Sequence, residues 1–336
     1  MTRNGVQMIP YFPGNDFRGR LRRHGADIVL DHITVVSKLK GVGLYAGLTS
    51  GSITNSPDTA DLSAEEILRA RENAYMGLFG GGARILRSRF QVADLIPVLA
   101  DTIAAGSVPK EYGDEGELSF VPTYHDRTGA RKPIEGWQLV SKTTSYRRDD
   151  VLTVARPDEI VKYIEDAEEA VLEYQETILG ARAVRKADKA RVKAGEIRED
   201  EQAKQAGLQN IFVIETIATG TPLFCKIDFD NDIRDQHIGL ALLALRSLVR
   251  EQKLGGVVRA GLGQFRANLT LTRDDETFPI FKGDWAAGDA DFTDKVLPFI
   301  DKASESLKQL SADEMLAFFV PRETKARGKA EAAEVE

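Results

Sequence analysis

Cysteine is nearly absent from this chain: Cys225 is the sole thiol in 336 residues. It can form no internal disulfide, which fits a reducing cytoplasm. Histidine is scarce as well. Four histidines, far apart in sequence, and one cysteine make no zinc pattern, so neither metal nor cofactor is expected. No apolar run approaches the about 18 residues of a membrane span. No basic segment followed by an apolar one opens the chain, so no secretory signal is expected. What is present, 42% hydrophobic and 29% charged residues, supports a sizeable core in one large domain with insertions or in two domains. The net charge of −7 has the wrong sign for a typical nucleic-acid binder. Its distribution is uneven, however. Met1 to Arg23 holds five arginines against one aspartate.

Four of those arginines lie in Pro13-Gly14-Asn15-Asp16-Phe17-Arg18-Gly19-Arg20-Leu21-Arg22-Arg23. A Pro-Gly turn leads into a helical segment that Asn15 or Asp16 can cap. Phe17 and Leu21 fall four apart and face inward, which leaves Arg18, Arg22 and Arg23 on other faces. A capped helix end with several arginines is an anion site suited to a polyanion such as RNA, or an ordinary helix start with a solvated basic face.

Two further glycine-rich stretches carry cations. The first is Gly77-Leu78-Phe79-Gly80-Gly81-Gly82, followed by Arg84, Arg87 and Arg89. Successive glycines let the backbone come close to a neighbour, so this is either a second phosphate site or a flexible loop beside a charged strand edge. The second is Leu254 to Arg266, where Gly261 and Gly263 stand beside Arg259, Gln264 and Arg266. Lys142, Tyr146, Arg147 and Arg148 mix an aromatic ring with cations, a combination that suits base stacking and backbone contact. Gly41 to Gly47 with Ser50-Gly51-Ser52 is predicted to be a loop, without the strand–glycine–helix order of a dinucleotide site.

Elsewhere, Asp27–Leu39 is strand or helix. Leu62–Tyr75 is a helix with a Ser63/Glu66 capping box. Residues 106–136 are an irregular excursion or hairpin, in which His125-Asp126 is a loop pair with no third orienting group. Pro157 to about Ala206 is helical, its second half nearly all charge and alanine. Ile211–Ile217, Thr219-Gly220 and Pro222–Phe229 form a predicted hairpin. Asp235 caps a helix over Gln236–Glu251 with a stripe of Ile238, Leu242, Leu245 and Val249. Val257–Ala260 and Ala267–Thr272 are strands. Phe292–Leu310 and Asp313–Phe319 are helices, and residues 321–336 are a disordered tail.

Hairpin, helix, glycine-rich loop and strand make half of a split β-α-β arrangement. Together the motifs resemble the RAMP superfamily of CRISPR-associated proteins. Residues 13–23 are similar to its "PGSSLKGxLR" segment and Gly77–Gly81 to its "LFG" loop. Glu215–Phe224 is similar to its "ExVPxGTxF" hairpin and Leu254–Gly263 to its "GGxxSRGFG" loop. The large insertion before the hairpin is most similar to the backbone subunit of multi-subunit effector complexes, and among these to the type IV version.

The resemblance implies an α+β fold: an RRM/ferredoxin-like palm, over 1–156 and 207–320, with large helical and loop insertions. A thumb lies between about Lys142 and Leu208, its helical part over 157–206. The resemblance implies a non-catalytic scaffold that coats CRISPR guide RNA through backbone contacts and stacks head to tail with copies of itself. Its partners are the guide RNA, other effector subunits and the target DNA or RNA paired to the guide. The implied RNA-binding set is Asn15, Arg18, Arg20, Arg22, Arg23, Gly80, Gly81, Arg84, Arg87, Arg89, Lys142, Tyr146, Arg147, Arg148, Arg259, Gly261, Gln264 and Arg266. Three departures stand out. Only twelve residues precede the arginine segment, where the superfamily has the first palm strand. Asn15-Asp16 replaces a serine pair. No acid occurs from Met1 to Asn15, where RNA-cutting relatives carry an aspartate, so no cleavage is expected. The alternative is a metal-independent guide-RNA-processing ribonuclease, with His24 beside the arginine segment as acid or base.

Overall fold

The computed structural model describes residues 8–35, 39, 42–51, 63–82, 86–113, 121–148, 209–255, 261–286 and 288–319. The helical insertion expected at 157–206, the strand expected at 257–260 and the tail at 321–336 lie outside these residues. The chain divides into two units, Met1–Gly136 with Pro222–Glu336, and Trp137–Thr221 between them. Helices and small antiparallel sheets both occur among the described residues, so the fold is α+β. Among the described residues no helix is long and apolar enough to cross a membrane.

The larger unit begins with α1 (Gly14–Ile33), which buries Phe17, Leu21, Gly25, Ala26 and Val29 along one face. The three-and-four spacing of these positions makes the segment a helix, which resolves Asp27–Ile33 in favour of helix over strand. Next comes α2 (Val42–Ser50), where glycine content predicts a loop. Packing overrides propensity there. A Cβ on Gly47 would stand 2.6 Å from the Phe319 ring, so glycine is what lets this helix approach its neighbour.

The expected helix over 62–75 is two helices, α3 (Ala64–Glu72) and α4 (Ala74–Phe79). Its capping box is in place: Glu66 N donates to Ser63 Oγ, and Ser63 N donates to Glu66 Oε2. Asn73 then interrupts the helix and starts the next one, its Oδ1 accepting from the Tyr75 and Met76 N–H groups at 3.0 Å. All six residues of α4 are buried.

Strands β1 (Phe90–Val92) and β2 (Ile96–Pro97) follow, then α5 (Ala100–Ala104) and a hairpin of β3 (Thr123–His125) and β4 (Arg131–Pro133). In the smaller unit β5 (Val140–Arg148) pairs with β6 (Gln209–Ile217) over nine residues. That overturns the hairpin expected over 211–229. The Thr221 N–H and hydroxyl both close onto Ala218 O, and Pro222 has no N–H with which to continue a ladder. β7 (Leu223–Phe224) pairs instead with β2, and β8 (Ile227–Phe229) with β1. Phe12 bridges Leu95 through two backbone bonds of 3.0 and 2.8 Å, so a short extended piece does precede α1. The four-stranded sheet of an RRM-like palm is not formed among the described residues, whose strands run in two-stranded sheets.

α6 (Asp235–Glu251) carries the expected stripe of Ile238, Leu242, Leu245 and Val249, all buried. Its cap is not Asp235. Arg234 holds the N-cap position, its N–H donating to His237 Nδ1 at 3.2 Å. Asp235 lies one residue inside the helix and pairs with Arg273 and Lys302. β9 (Thr270–Arg273) and β10 (Glu276–Pro279) meet at a two-residue turn in which Asp274 and Asp275 take φ of 52° and 64°, the left-handed pair such hairpins need. α7 (Leu297–Lys308) and α8 (Ala312–Phe319) close the described chain.

α6 is the central helix of this unit, with α1, α4 and α7 against it. Gly239 sets its approach to α7, because a Cβ there would stand 2.0 Å from Phe299 O. In an open helix Gly→Ala stabilises by about 1 kcal/mol. Gly239→Ala is expected to destabilise by about 1–3 kcal/mol, because backbone must move to admit the methyl. Urea unfolding of the variant gives the sign.

Candidate nucleic-acid interface

The start of α1 is not an open anion site. Gly14 N donates to Asp94 Oδ1 at 2.8 Å, so a carboxylate of the same chain already fills the helix end. Gly14 is buried, and a Cβ there would stand 2.4 Å from Val92 O. Asn15 and Asp16, expected to cap, are exposed and sit inside the first turn, one residue too late; Pro13 holds the N-cap position without a side-chain bond.

The arginines that follow divide by direction. Arg20 Nη2 donates to Gly255 O, and Arg22 Nη2 to Phe79 O, each at 2.5 Å. Arg18 Nη1 reaches Ser88 Oγ at 3.5 Å. Arg23 is exposed. One helix thus ties together the Gly77–Gly82 stretch through Arg22 and the Leu254–Arg266 stretch through Arg20. Burial lowers the Arg22 pKa, and the like charge of Arg18 lowers it further against an opposing effect of Tyr75.

Every acceptor in this set is neutral. Among the described residues, Arg18, Arg20, Arg22, Arg87 and Arg266 make no salt bridge to a carboxylate, and Arg23 makes none either, although its charge acts on Asp27. Some arginines elsewhere make such bridges, Arg69 with Glu314, Arg71 with Asp232, Arg234 with Glu72 and Arg273 with Asp235, whereas Arg131 bonds Thr123 and Arg246 lies over the Phe292 ring.

The loop after α4 approaches its own chain. Gly80, Gly81 and Gly82 all take positive φ, at 63°, 99° and 88°. Their N–H groups donate to Met76 O, Leu86 O and Gly51 O at 2.8–3.0 Å, so the expected phosphate cradle has no free donor at these three residues. A Cβ on Gly80 would stand 2.2 Å from Leu86 O. Arg84 lies outside the described residues. Arg87 is exposed beside Ser88, the residue that Arg18 reaches. Arg89 turns inward: it is buried, paired with Asp232, and its Nε has no partner. That geometry makes Arg89 a structural cation rather than a surface contact.

In the Leu254–Arg266 stretch Leu254 N donates to Gly263 O at 2.9 Å, and Lys253 bridges Gln264. Gly263 is crowded by Leu254 O, whereas Gly261 faces open space with φ of 80°. Gln264 and Arg266 are exposed, and Arg259 lies outside the described residues. In the smaller unit Lys142 is exposed and pairs at 2.9 Å with Glu215, its direct cross-strand partner. The backbone of Tyr146, Arg147 and Arg148 lies in β5; their side chains fall outside the described set.

His24 is clasped between α1 and α6. Its Nδ1 meets Ser247 Oγ at 3.0 Å and its Nε2 meets Glu251 Oε2 at 3.2 Å. Burial lowers its pKa, more than the Glu251 carboxylate raises it. His32 Nδ1 donates to Ile28 O within its own helix. His125 lies on its hairpin near Gly129 O. Asp126 beside it organises the turn, accepting from Thr128 and Ala130. The hydrogen bond from Lys132, aided by Thr128, holds its carboxyl down to about 2.

No family model matches the chain, and no curated protein matches it. Among solved structures it is similar to a chain of one described as a type IV-B CRISPR complex, at 17% identity and a TM-score of 0.38, over 82% of this chain and 83% of that one. A score of that size leaves the functional argument with the residues themselves. Asp94 and Gly51, which help fix the helix start and the glycine loop in place, carry no motif of their own, whereas Gly255 lies in the Leu254–Gly263 stretch.

Two outcomes follow. Arg22→Ala strips the charge-assisted bond from the end of α4 and is expected to lower stability by about 1–3 kcal/mol, while Arg18→Ala stays within about 0.5 kcal/mol. Urea midpoints compare them. His237, fully buried, is held neutral by burial, with the Arg89 charge adding to it, so its pKa falls from 6.5 to about 4. Between those values the unfolded chain binds a proton that the folded chain does not. Stability is therefore full above pH 6.5 and falls as pH drops toward 4. In His237→Gln the slope of stability against pH over that window is expected to flatten.

Proposed function

We propose that this chain is a non-catalytic, guide-RNA-binding backbone subunit of a CRISPR effector complex, most like the type IV version. The observation that carries the reading is the α1 arginine set held only by neutral acceptors. A guanidinium bonded to a carbonyl keeps its full charge, so Arg20 and Arg22, with Arg18 and Arg87 beside Ser88, bring positive charge that no salt-bridged carboxylate offsets, while the charge of Arg23 is felt by Asp27. Several arginines elsewhere, Arg69, Arg71 and Arg234 among them, pair with carboxylates, and the chain is acidic overall. A basic patch on an acidic molecule favours a polyanion at one place and repels it at others.

Arg18, Arg23 and Arg87 are the contacts to phosphate in this reading, and Arg20 and Arg22 hold the loops beneath them. Sequence-independent contact to phosphate and sugar leaves the guide bases free to pair with a target. Further copies stack head to tail along the guide, and other effector subunits and target DNA or RNA join them. The motif order from Pro13 to Gly263 supports the family assignment. The engagement of both His24 nitrogens supports a scaffold over a ribonuclease, since neither is presented to a scissile phosphate.

Purification from cells carrying a guide array, followed by sequencing of bound RNA, tests the proposal. Protected RNA of one repeat-spacer length is expected; protein free of nucleic acid even at low salt would sink it. Arg18→Glu with Arg87→Glu is expected to abolish RNA retention at unchanged folding, read by gel filtration and the ratio of absorbance at nucleic-acid and protein wavelengths.

A further inference from the structure

Ser88 stands on backbone that is held from both sides. A Cβ on Gly80 would stand 2.2 Å from Leu86 O and 2.7 Å from Ser88 N, so this segment lies tight against the glycine loop. Directly after it, Arg89 N donates to Leu78 O at 3.0 Å, Asp230 N donates to Arg89 O at 2.9 Å, and the Arg89 side chain is buried against Asp232. The helix that carries Arg18 is fixed as well, since Arg22, one turn further along α1, is bonded to Phe79 O. Between these two anchored segments the contact is slack: Arg18 Nη1 reaches Ser88 Oγ only at 3.5 Å, longer than an ordinary hydrogen bond. The Ser88 proton is committed elsewhere. Ser88 Oγ donates to Phe90 O at 3.2 Å, because a carbonyl can only accept. Arg18 and Ser88 are both half-buried and so keep some contact with solvent.

We infer, on the RNA-binding reading above, that Arg18 and Ser88 together read the ribose 2′-hydroxyl and make this chain select RNA over DNA. A guanidinium only donates, and Ser88 Oγ, its proton given to Phe90 O, retains a lone pair with which to accept. A phosphate oxygen brings no proton to that lone pair, so the arginines alone suit it. A hydroxyl suits both groups at once: its oxygen accepts from Arg18 and its proton goes to Ser88 Oγ. Along a nucleic-acid backbone the 2′-hydroxyl is the group with both capacities, and DNA lacks it. Arg18 has several N–H donors, so one bond to the sugar leaves others for phosphate. Arg87, exposed and next to Ser88 in sequence, is left for the adjoining phosphate.

Oligouridine and oligo-2′-deoxyuridine share bases and phosphates and differ at this one group. The full-length wild-type chain is expected to bind the ribose form about fivefold more tightly at low salt, read by fluorescence anisotropy. Ser88→Ala is expected to bind both at the deoxy level, with unchanged elution on gel filtration and an unchanged salt slope, because no phosphate contact is lost. Oligo-2′-O-methyluridine, whose sugar oxygen accepts but cannot donate, is expected to bind the wild-type chain no better than the deoxy form. These wild-type comparisons stand without any variant. Equal wild-type affinity for the ribose and deoxy forms, full affinity for the 2′-O-methyl form, or a ribose preference that survives in Ser88→Ala overturns the reading of the sugar while leaving RNA binding intact. Failure of the wild-type chain to bind oligouridine at low salt overturns the functional reading itself, and this inference with it.

Discussion

A helix end leaves carbonyls without partners, and at the end of α4 the Phe79 carbonyl is answered by an arginine from another helix. Arg22 fits there only because glycine stands at 51 and 81, where a Cβ would approach its Nη1 to 2.0 and 3.1 Å. The contact fixes α1 against the loop that follows α4, and Arg20 repeats the device at Gly255. Satisfying a carbonyl with a guanidinium caps the backbone without cancelling the charge. The same bonds therefore support the fold and leave a positive patch on its surface.

Other charges in the larger unit are handled differently. Arg89 is buried against Asp232, and His237 is buried and neutral with its Nδ1 accepting from Arg234 N. These groups are compensated or uncharged because an unpaired buried ion is costly to keep out of water. Neutral acceptors suffice at Arg18 and Arg22 because both retain some contact with solvent. The difference separates cations paired with a carboxylate from those held by neutral acceptors, a distinction that counting arginines in the sequence cannot make.

Several elements were legible from residues alone. The capping box at Ser63 and Glu66, the apolar stripe of α6 and the inward pair Phe17 and Leu21 all follow local rules, since spacing of three and four or a cap three residues away needs no distant partner. The failures have a common cause. The helix over Val42–Ser50 forms because Gly47 meets the Phe319 ring, far along the chain. The ladder of β6 goes to β5 because the turn at Ala218–Thr221 closes on itself. The start of α1 is capped by Asp94 instead of by Asn15 or Asp16. Each depends on a contact that propensity does not encode.

By itself the sequence determined where the arginines and glycines would cluster, the order of the four motifs and the mixed α+β character, because these rest on composition and local periodicity. Tertiary structure decided their roles. It turned Arg89 inward, assigned Arg20 and Arg22 to backbone carbonyls, occupied the N–H groups of Gly80 to Gly82 with internal acceptors and left Arg18, Arg23 and Arg87 to face outward. A guanidinium or an N–H group takes the acceptor that folding places within about 3 Å, and for Arg20, Arg22, Arg89 and Gly82 that acceptor lies dozens to hundreds of positions away.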